Sequence, residues 1–191
     1  PDNEEISFSL SNGKLTVASK GFHADFSTIS ADDFPQLEIL EEQTASAISS
    51  SVLKRILTKT SFSMASQDVR YYLNGLLLEF ANNEIKGVAT DGHRLALATS
   101  KLKNKEGLKL KQILPRKAVL ELSKLLPSSD EEVEINVGAS YFSVKSGNLQ
   151  FSTKLIDGKY PDYAKVFPVG EPSSLKIGKE KLQLALSRAS V

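Results

Sequence analysis

An internal repeat constrains the fold of this 191-residue chain more than any other feature of its sequence. Residues 5–35 resemble residues 134–161. The matched pairs, at spacings of 127, 125 and 126 residues, are Val17 with Val144, Phe26 with Phe151 and Pro35 with Pro161. Ile48, Leu53 and Leu57 match Ile177, Leu182 and Leu186 at a spacing of 129 residues. Since a repeated sequence indicates a repeated folding unit, we expect the tail of one unit, one whole unit and the head of a third, cut from a longer protein.

The order of apolar and polar residues predicts strands in the whole unit. Their alternation predicts four strands, at residues 94–98, 133–137, 141–145 and 149–152. Asp91-Gly92 lies between residues 85–90 and 94–99, and it predicts a tight hairpin because such a turn needs positive φ. Tyr71 and Tyr72 are expected to begin another strand, with one ring buried and one exposed.

Helical periodicity predicts two helices in the same unit. The first has cap candidates at residues 49–51 and an apolar stripe made of Leu53, Ile56, Leu57 and Thr60. The second starts near Pro115 and ends before Pro127, and its buried face consists of Val119, Leu122 and Leu126. The unit is therefore predicted to be α+β and dominated by strands.

Composition excludes several classes of protein. The chain has no cysteine, so disulfides, thiolate metal sites and cysteine nucleophiles are excluded. Its two histidines leave little for an imidazole-rich metal centre. Hydrophobic residues make up 40% and charged residues 25%, which is typical of a globular protein. With no apolar run of about 18 residues, we expect a soluble, cytoplasmic protein with no metal, no cofactor and no membrane association.

Motifs for catalysis are missing from the sequence. It contains no phosphate-binding GxxxxGK[ST], no GxGxxG after a strand, no GxSxG and no HExxH. Asp91 and His93 could form the acid–base pair of a hydrolase, but no nucleophile accompanies them. We therefore expect no enzymatic activity.

Positive charge is concentrated in two regions, although the formal net charge is only +1. Residues 43–67 contain no acidic residue, and residues 101–126 contain eight basic residues against two acidic ones. Lys54, Arg55, Arg116 and Lys117 lie in or near the first turns of the predicted helices, where positive charge opposes the helix dipole. Contact with nucleic-acid phosphates would explain this placement. The alternative is that these residues are good helix formers whose stems cover apolar surface.

Four long motifs, in order along the chain, identify a resemblance. They lie at residues 62–75, 88–96, 114–117 and 154–163. They closely resemble the family of bacterial DNA polymerase III beta subunits, the sliding clamps. The resemblance covers essentially the whole chain. It implies the DNA-clamp fold, in which each subunit has repeated domains built of antiparallel sheet with two helices each.

The resemblance implies which residues face DNA. In the family, the helices of each domain line the central hole, and one loop touches DNA at the rim. The matching helix positions here are Lys54, Arg55, Lys59, Arg116, Lys117 and Lys124, and the matching loop positions are Gln67, Arg70, Tyr71 and Tyr72. The paired tyrosines beside an arginine also suit contact with nucleic acid by their chemistry.

The resemblance also implies a pocket that binds partner peptides, between the second and third domains. Its matching positions are Leu73, Thr90, Gly92, His93, Arg94, Leu95, Pro161, Lys165 and Val166. The apolar members suit a cleft for a short peptide that ends in hydrophobic side chains. Lys165 stands where the family often has arginine.

Domain boundaries and partners follow from the same resemblance. Residues 1–44 match the end of the first clamp domain, 45–171 the second, and 172–191 the start of the third. The implied partners are double-stranded DNA, the DNA polymerase III alpha subunit, the clamp loader and other proteins with a clamp-binding motif. The full-length protein is expected to be a homodimeric ring, which this chain alone cannot close. A stand-alone peptide-binding module without a ring is the alternative.

Overall fold

The computed structural model describes residues 5–34, 44–102, 109–167, 170 and 173–190. The chain divides into two compact units, residues 1–40 and 41–191. None of the helices in the described part of the chain has the length and apolar character that a membrane crossing needs. Pro35 and the predicted boundary at 171/172 lie outside the described residues.

The first unit is an antiparallel three-stranded meander of β1 (Ser7–Ser11), β2 (Lys14–Ser19) and β3 (Phe22–Ser27). Asn12 and Gly13 both have positive φ, as a tight hairpin turn between β1 and β2 requires. A short 3-10 helix, Ala31–Asp33, follows β3.

The second unit consists of the same series of elements twice: one strand, one helix and three strands. The first series is β4 (Thr44–Ser49), α1 (Ser50–Thr60), β5 (Gly75–Ala81), β6 (Glu84–Thr90) and β7 (Leu95–Lys101). The second is β8 (Leu110–Pro115), α2 (Arg116–Leu125), β9 (Glu132–Val137), β10 (Tyr141–Ser146) and β11 (Leu149–Lys154). A third helix, α3 (Lys179–Ala189), follows.

Each series gives its first strand to the sheet of the other. One sheet has the order β11-β10-β9-β4 and the other β7-β6-β5-β8, both antiparallel. In the register, Ile48 faces Val133 and Leu77 faces Ile113. This exchange ties the two halves into a single core, and it confirms the predicted α+β architecture of antiparallel sheet with two helices.

The core lies between the helices and the sheets. Leu53, Ile56, Leu57 and Thr60 of α1 are all buried, as their spacing predicts. Leu53, Ile56 and Leu57 pack into one cluster with apolar residues of α2 and of both sheets. Fully burying a leucine or isoleucine side chain contributes roughly 1.5–3 kcal/mol, so this cluster makes a large favourable contribution to folding of the unit.

The repeat is confirmed in the strand register. Phe8 faces Val17 in the first meander, and the residues 127 positions later, Ile135 and Val144, face each other in the second. The spacing of 125 between Phe26 and Phe151 is wrong, because Phe26 faces Leu15 while Phe151 faces Val144. A shift of two residues keeps a side chain on the same face of a strand, so alternation does not detect it.

The helical part of the repeat is also confirmed. At a spacing of 129 residues, the bounds of α1, Ser50–Thr60, coincide with those of α3, Lys179–Ala189.

Two local predictions are wrong. The tight hairpin at Asp91-Gly92 is a four-residue loop, since Thr90 pairs with Leu95 and Arg94 lies outside the strand. Tyr71 and Tyr72 do not begin a strand, because residues Tyr71–Leu73 form a 3-10 helix and β5 starts at Gly75. In the first case the Asp91 side chain bonds backbone N–H groups of the loop, and in the second a 3-10 helical turn bonds backbone groups. In a strand these backbone groups would have paired with a neighbouring strand.

Candidate functional site

Two of the basic residues near helix starts have hydrogen-bond partners within the protein. Lys54 Nζ donates to the carbonyl of Leu126 at the end of α2, at 2.7 Å. Arg116, the first residue of α2, donates to the carbonyl of Met64 just beyond α1, at 3.2 Å. The start of each helix therefore lies beside the end of the other. Because a helix C-terminus attracts positive charge, Lys54 is favourably placed without any phosphate, and Arg116 has a carbonyl partner after the 3-10 helix that follows α1.

The other basic residues of the helices differ in whether their side chains have a partner within the protein. Arg55 donates to the carbonyl of Thr99 at 3.2 Å. Lys124 forms an ion pair with Glu121 at 3.0 Å. Lys59 and Lys117 are exposed, and within the described part of the chain no hydrogen bond or ion pair holds either side chain. These two lysines are therefore the helix cations most available to a phosphate.

Residues 67–74 form a closed loop before β5. The side chain of Asn74 accepts from the Asp68 backbone N–H at 2.9 Å and donates to the Asp68 carbonyl at 2.8 Å. Gln67 is exposed and has a positive φ of 58°. The Tyr71 ring is 58% exposed and meets the partly buried Tyr72 ring edge-on, with centroids 5.8 Å apart. The expected exposed ring is that of Tyr71, whereas the ring expected in the core, that of Tyr72, is only partly buried and packs against an apolar cluster.

Arg70 is held by a carboxylate within this loop. Its Nε and Nη2 donate to the two carboxylate oxygens of Asp68, at 3.0 and 2.8 Å. This contact lowers the pKa of Asp68 to about 2. Nη2 also donates to the carbonyl of Asp91 at 3.2 Å. Arg70 therefore links the 67–74 loop to the loop after β6.

A second, smaller apolar cluster brings three distant segments together. Leu73, Tyr160 and four other residues are buried in it, and Leu95 and Tyr72 pack against them. Leu73 and Tyr72 come from the 3-10 helix, Leu95 from the start of β7 and Tyr160 from the segment after β11. The predicted pocket residues Leu73 and Leu95 thus share one cluster, and Pro161 follows its member Tyr160 directly in the chain.

The loop between β6 and β7 is shaped by Asp91. Its Oδ1 accepts from the backbone N–H groups of His93 and Arg94 at 2.9 and 3.0 Å, and its Oδ2 accepts from Arg94 Nε at 3.0 Å. The bonds from the His93 and Arg94 backbone, in that order of strength, lower the pKa of Asp91 to about 2. Thr90 Oγ1 donates to the carbonyl of Arg94 at 2.7 Å and accepts from the Gly92 N–H at 3.1 Å.

This geometry gives no support to the hydrolase alternative. Asp91 bonds the backbone of His93 and not its imidazole ring, so the two side chains do not form an acid–base pair. The described residues also contain no group of three or more histidine, aspartate or glutamate side chains that could hold a metal ion.

Tyr160 was not predicted as a site residue, yet it anchors this region. Its hydroxyl accepts from the backbone N–H of Thr90 at 3.1 Å. Burial raises the pKa of Tyr160 to about 12, so the hydroxyl stays protonated. The sequence signals for it are its position next to Pro161 in the 154–163 motif and its match with Phe34 in the repeat.

Buried Glu79 on β5 anchors the short 3-10 helix Tyr163–Val166. Glu79 is 8% exposed; it accepts from the hydroxyl of Tyr163 at 3.0 Å and pairs with Lys111 at 3.3 Å. Burial, followed by the Glu79 contact, raises the pKa of Tyr163 to about 12. This helix carries Lys165, which pairs with Asp162 at 3.4 Å, and Val166, which is 64% exposed.

Two grooves adjoin these segments. The first has a volume of about 620 Å³ and is lined by Leu77, Lys111, Ile113, Gly158, Lys159, Tyr160, Pro161, Asp162 and Lys165. The second, of about 470 Å³, includes Phe62, Gln67, His93, Arg94 and Arg116. The Arg94 guanidinium carbon lies 5.8 Å from the centroid of the Phe62 ring. Six of the predicted pocket residues lie in these features: Pro161 and Lys165 in the first groove, His93 and Arg94 in the second, and Leu73 and Leu95 in the apolar cluster. Thr90, Gly92 and Val166 line neither groove and are not part of the cluster.

Comparison with known proteins gives consistent results. The DNA polymerase III beta subunit central-domain family matches residues 47–162. The beta sliding clamp of Vibrio cholerae serotype O1 is 38% identical over 191 residues, and that of Escherichia coli K12 is 36% identical over 194. Both alignments cover 100% of this chain and 52% of the relative. The chain thus spans about half the length of these relatives.

Solved structures show the same similarity. The DNA polymerase III beta subunit of Pseudomonas aeruginosa superposes with a TM-score of 0.85 and 38% identity, covering 98% of this chain and 51% of that one. The sliding clamp of Bacillus subtilis superposes with a TM-score of 0.88 and 28% identity, covering 97% and 49%. The family match alone extends over more than half of the residues. This chain therefore belongs to the DNA polymerase III beta subunit family, the beta sliding clamps, whose central-domain model matches residues 47–162.

Proposed function

We propose that the protein containing this chain is a DNA sliding clamp, a processivity factor with no catalytic step of its own. The observation that carries this proposal is the repeated folding unit, which keeps one strand register at a spacing of 127 residues in a chain that beta sliding clamps match from end to end. A stand-alone peptide-binding module is not favoured, because those matches extend well beyond the central domain.

The domain arrangement belongs to this proposal. Residues 1–44 form the end of the first domain, residues 45–171 the second and residues 172–191 the start of the third. In the full-length protein two subunits close into a homodimeric ring around duplex DNA. The closed ring keeps the protein on DNA, so its contacts with phosphates can be weak and independent of sequence. Such a protein acts in the cytoplasm, where bacterial DNA is replicated.

Lys59 and Lys117 are the strongest candidates for DNA contact. Both are exposed on the two helices that pack against each other, and each is free of protein partners in the described part of the chain. The other candidates on the helices already bond to a carbonyl or a carboxylate, which leaves them less free for phosphate.

The apolar cluster around Leu73, Leu95 and Tyr160, with its adjoining grooves, is the proposed docking site for partner peptides. Buried anchors in such a site supply most of the affinity. Binding there would tether DNA polymerase III, the clamp loader and other partners, which raises their effective concentration at the DNA. A similar clamp from Pseudomonas aeruginosa has been solved bound to griselimycin, which supports the presence of a binding site in this family.

Reversing the charge of the two free lysines tests the DNA-binding part of the proposal. In the full-length protein, Lys59→Glu with Lys117→Glu should weaken retention on duplex DNA and reduce its salt dependence, by about 0.9 in the log–log slope for each phosphate that the protein no longer neutralises. Retention is measured over a series of salt concentrations.

Lys145→Glu is the matched control. Lys145 is exposed on β10, on the face of the sheet opposite to that of the buried Val144. This substitution changes the net charge by as much as either helix substitution does, but it should leave the slope unchanged. If the control weakens retention as much as the helix variants do for each charge, the helices do not form the DNA surface.

A further inference from the structure

Arg70 contacts both the loop that contains it and the loop between β6 and β7. A Cβ atom added at Gly92 would lie 3.1 Å from Nη1 and 3.2 Å from Nη2 of Arg70. With φ of 90°, Gly92 occupies a backbone conformation that suits glycine. The guanidinium therefore lies directly against the Asp91–Gly92 backbone, while it also donates to the Asp91 carbonyl.

Tyr71 and Tyr72, which follow Arg70, contact the other side of the proposed pocket. A Cβ atom added at Gly158 would lie 3.4 Å from Cε2 of Tyr71 and 3.6 Å from Cβ of Tyr72. Gly158 belongs to the segment that continues to Tyr160 and Pro161. Residues 70–72 thus lie against both segments that carry pocket residues.

The charge of Arg70 is already neutralised. Both carboxylate oxygens of Asp68 accept from the guanidinium, and Oδ1 also accepts from the Arg70 backbone N–H at 2.8 Å. The pair carries no net charge, so a phosphate gains little Coulomb energy from it unless Asp68 is displaced. This arrangement favours a role within the protein over direct DNA contact.

We propose that Arg70 is a positioning residue for the peptide pocket: its guanidinium holds the Asp91–Arg94 loop against residues 68–73 and so fixes one wall of the pocket. This inference rests on the proposed function, and it assigns Arg70 to peptide binding and not to DNA. It requires the planar fork of arginine, because one side chain must bond a carboxylate through two nitrogens and also reach a carbonyl.

Arg70→Lys in the full-length protein separates the two roles. Lysine keeps the charge that a phosphate needs but loses the fork. We expect affinity for a labelled eight-residue peptide ending in Leu-Phe, measured by fluorescence anisotropy, to fall about three- to tenfold, with DNA retention unchanged. Arg188→Lys on α3 is the matched control and should leave both unchanged, and melting temperatures check that each variant folds.

Asp68→Asn provides a second, opposite test. It removes the carboxylate that holds the guanidinium while leaving the positive charge of Arg70 in place. If Arg70 positions the Asp91–Arg94 loop, Asp68→Asn should weaken peptide binding. Direct phosphate contact by Arg70 predicts tighter DNA retention and unchanged peptide binding, and that result would overturn the proposal. Unchanged peptide affinity in Arg70→Lys would overturn it as well.

Amide hydrogen exchange measured without peptide tests whether Arg70 positions the loop, independently of whether the proposed pocket binds a peptide. If the unaltered protein binds no such peptide, the proposed pocket fails, and exchange at His93 and Arg94 then decides the role of Arg70. Faster exchange there in Arg70→Lys than in Arg188→Lys supports positioning of the loop. Equal exchange in the two variants contradicts it.

Discussion

At the scale of single residues, Asp91 holds a loop that the sequence alone presents as a tight turn. Its carboxylate accepts two backbone N–H groups and the side chain of Arg94. These bonds to the ionised form lower its pKa from 3.8 to about 2. An Asp-Gly pair favours a two-residue turn by its φ preference, but a carboxylate that bonds later backbone groups stabilises a longer loop equally well.

This lowered pKa predicts how stability depends on pH. A carboxylate whose pKa is lower in the folded state stabilises the fold above its unfolded pKa of 3.8, and the contribution is lost as the pH falls from 3.8 towards 2. Asp91→Asn keeps an oxygen acceptor but does not ionise. Between about pH 5 and about pH 2.5, the urea midpoint of the unaltered protein should therefore fall further than that of Asp91→Asn. Parallel pH profiles would contradict this assignment.

At the scale of elements, periodicity predicts the helices but not their partners. The buried stripe of α1 follows from a spacing that only a helix places on one face. The bond from Lys54 to the Leu126 carbonyl joins residues 72 positions apart, and no local pattern encodes it. From the sequence alone, Lys54 and Arg116 are unfavourable at helix starts, because the carbonyls that accept from them lie far away along the chain.

The close approach of β5 and β8 gives a prediction at this scale. A Cβ atom added at Gly75 would collide with the Leu114 carbonyl oxygen and lie 2.9 Å from Cγ2 of Ile113. Since the backbone of β8 is held in the sheet, Gly75→Ala should destabilise the central domain by about 1–3 kcal/mol. The free energy is obtained from urea denaturation.

Gly178→Ala is the control for a glycine replaced without a collision, because a Cβ atom there meets nothing within 4 Å. Its only expected cost is the preference of the α3 N-cap for glycine over alanine. A loss below about 0.5 kcal/mol for Gly75→Ala, the range of ordinary surface substitutions, would show that the two strands can separate to accept a side chain.

At the scale of the whole molecule, the repeat makes the architecture predictable. Two meanders with one register at a spacing of 127 residues, and two helices with matching bounds, follow from similarity that is visible within the chain. The exchange of first strands between the two halves of the central domain was not predicted. It depends on pairings such as Ile48 with Val133, which alternation within one strand does not specify.

The candidate site was predictable to a similar extent. The motifs place Leu73, Leu95 and Pro161 in one region, and the structure brings the three segments together through a shared apolar cluster. Tyr160 and Asp68 were missed as anchors, because their roles depend on bonds to a backbone N–H and a guanidinium that only the folded chain brings near.

Retention of the full-length protein on DNA with and without ends tests the central claim most directly. The protein is loaded on a nicked circular duplex with its cognate loading proteins, and bound protein is measured before and after one double-strand cut. A ring held by topology should remain on the circle and be lost after the cut. Equal retention on circular and linear DNA would contradict the account, since binding would then depend on direct affinity and not on encirclement.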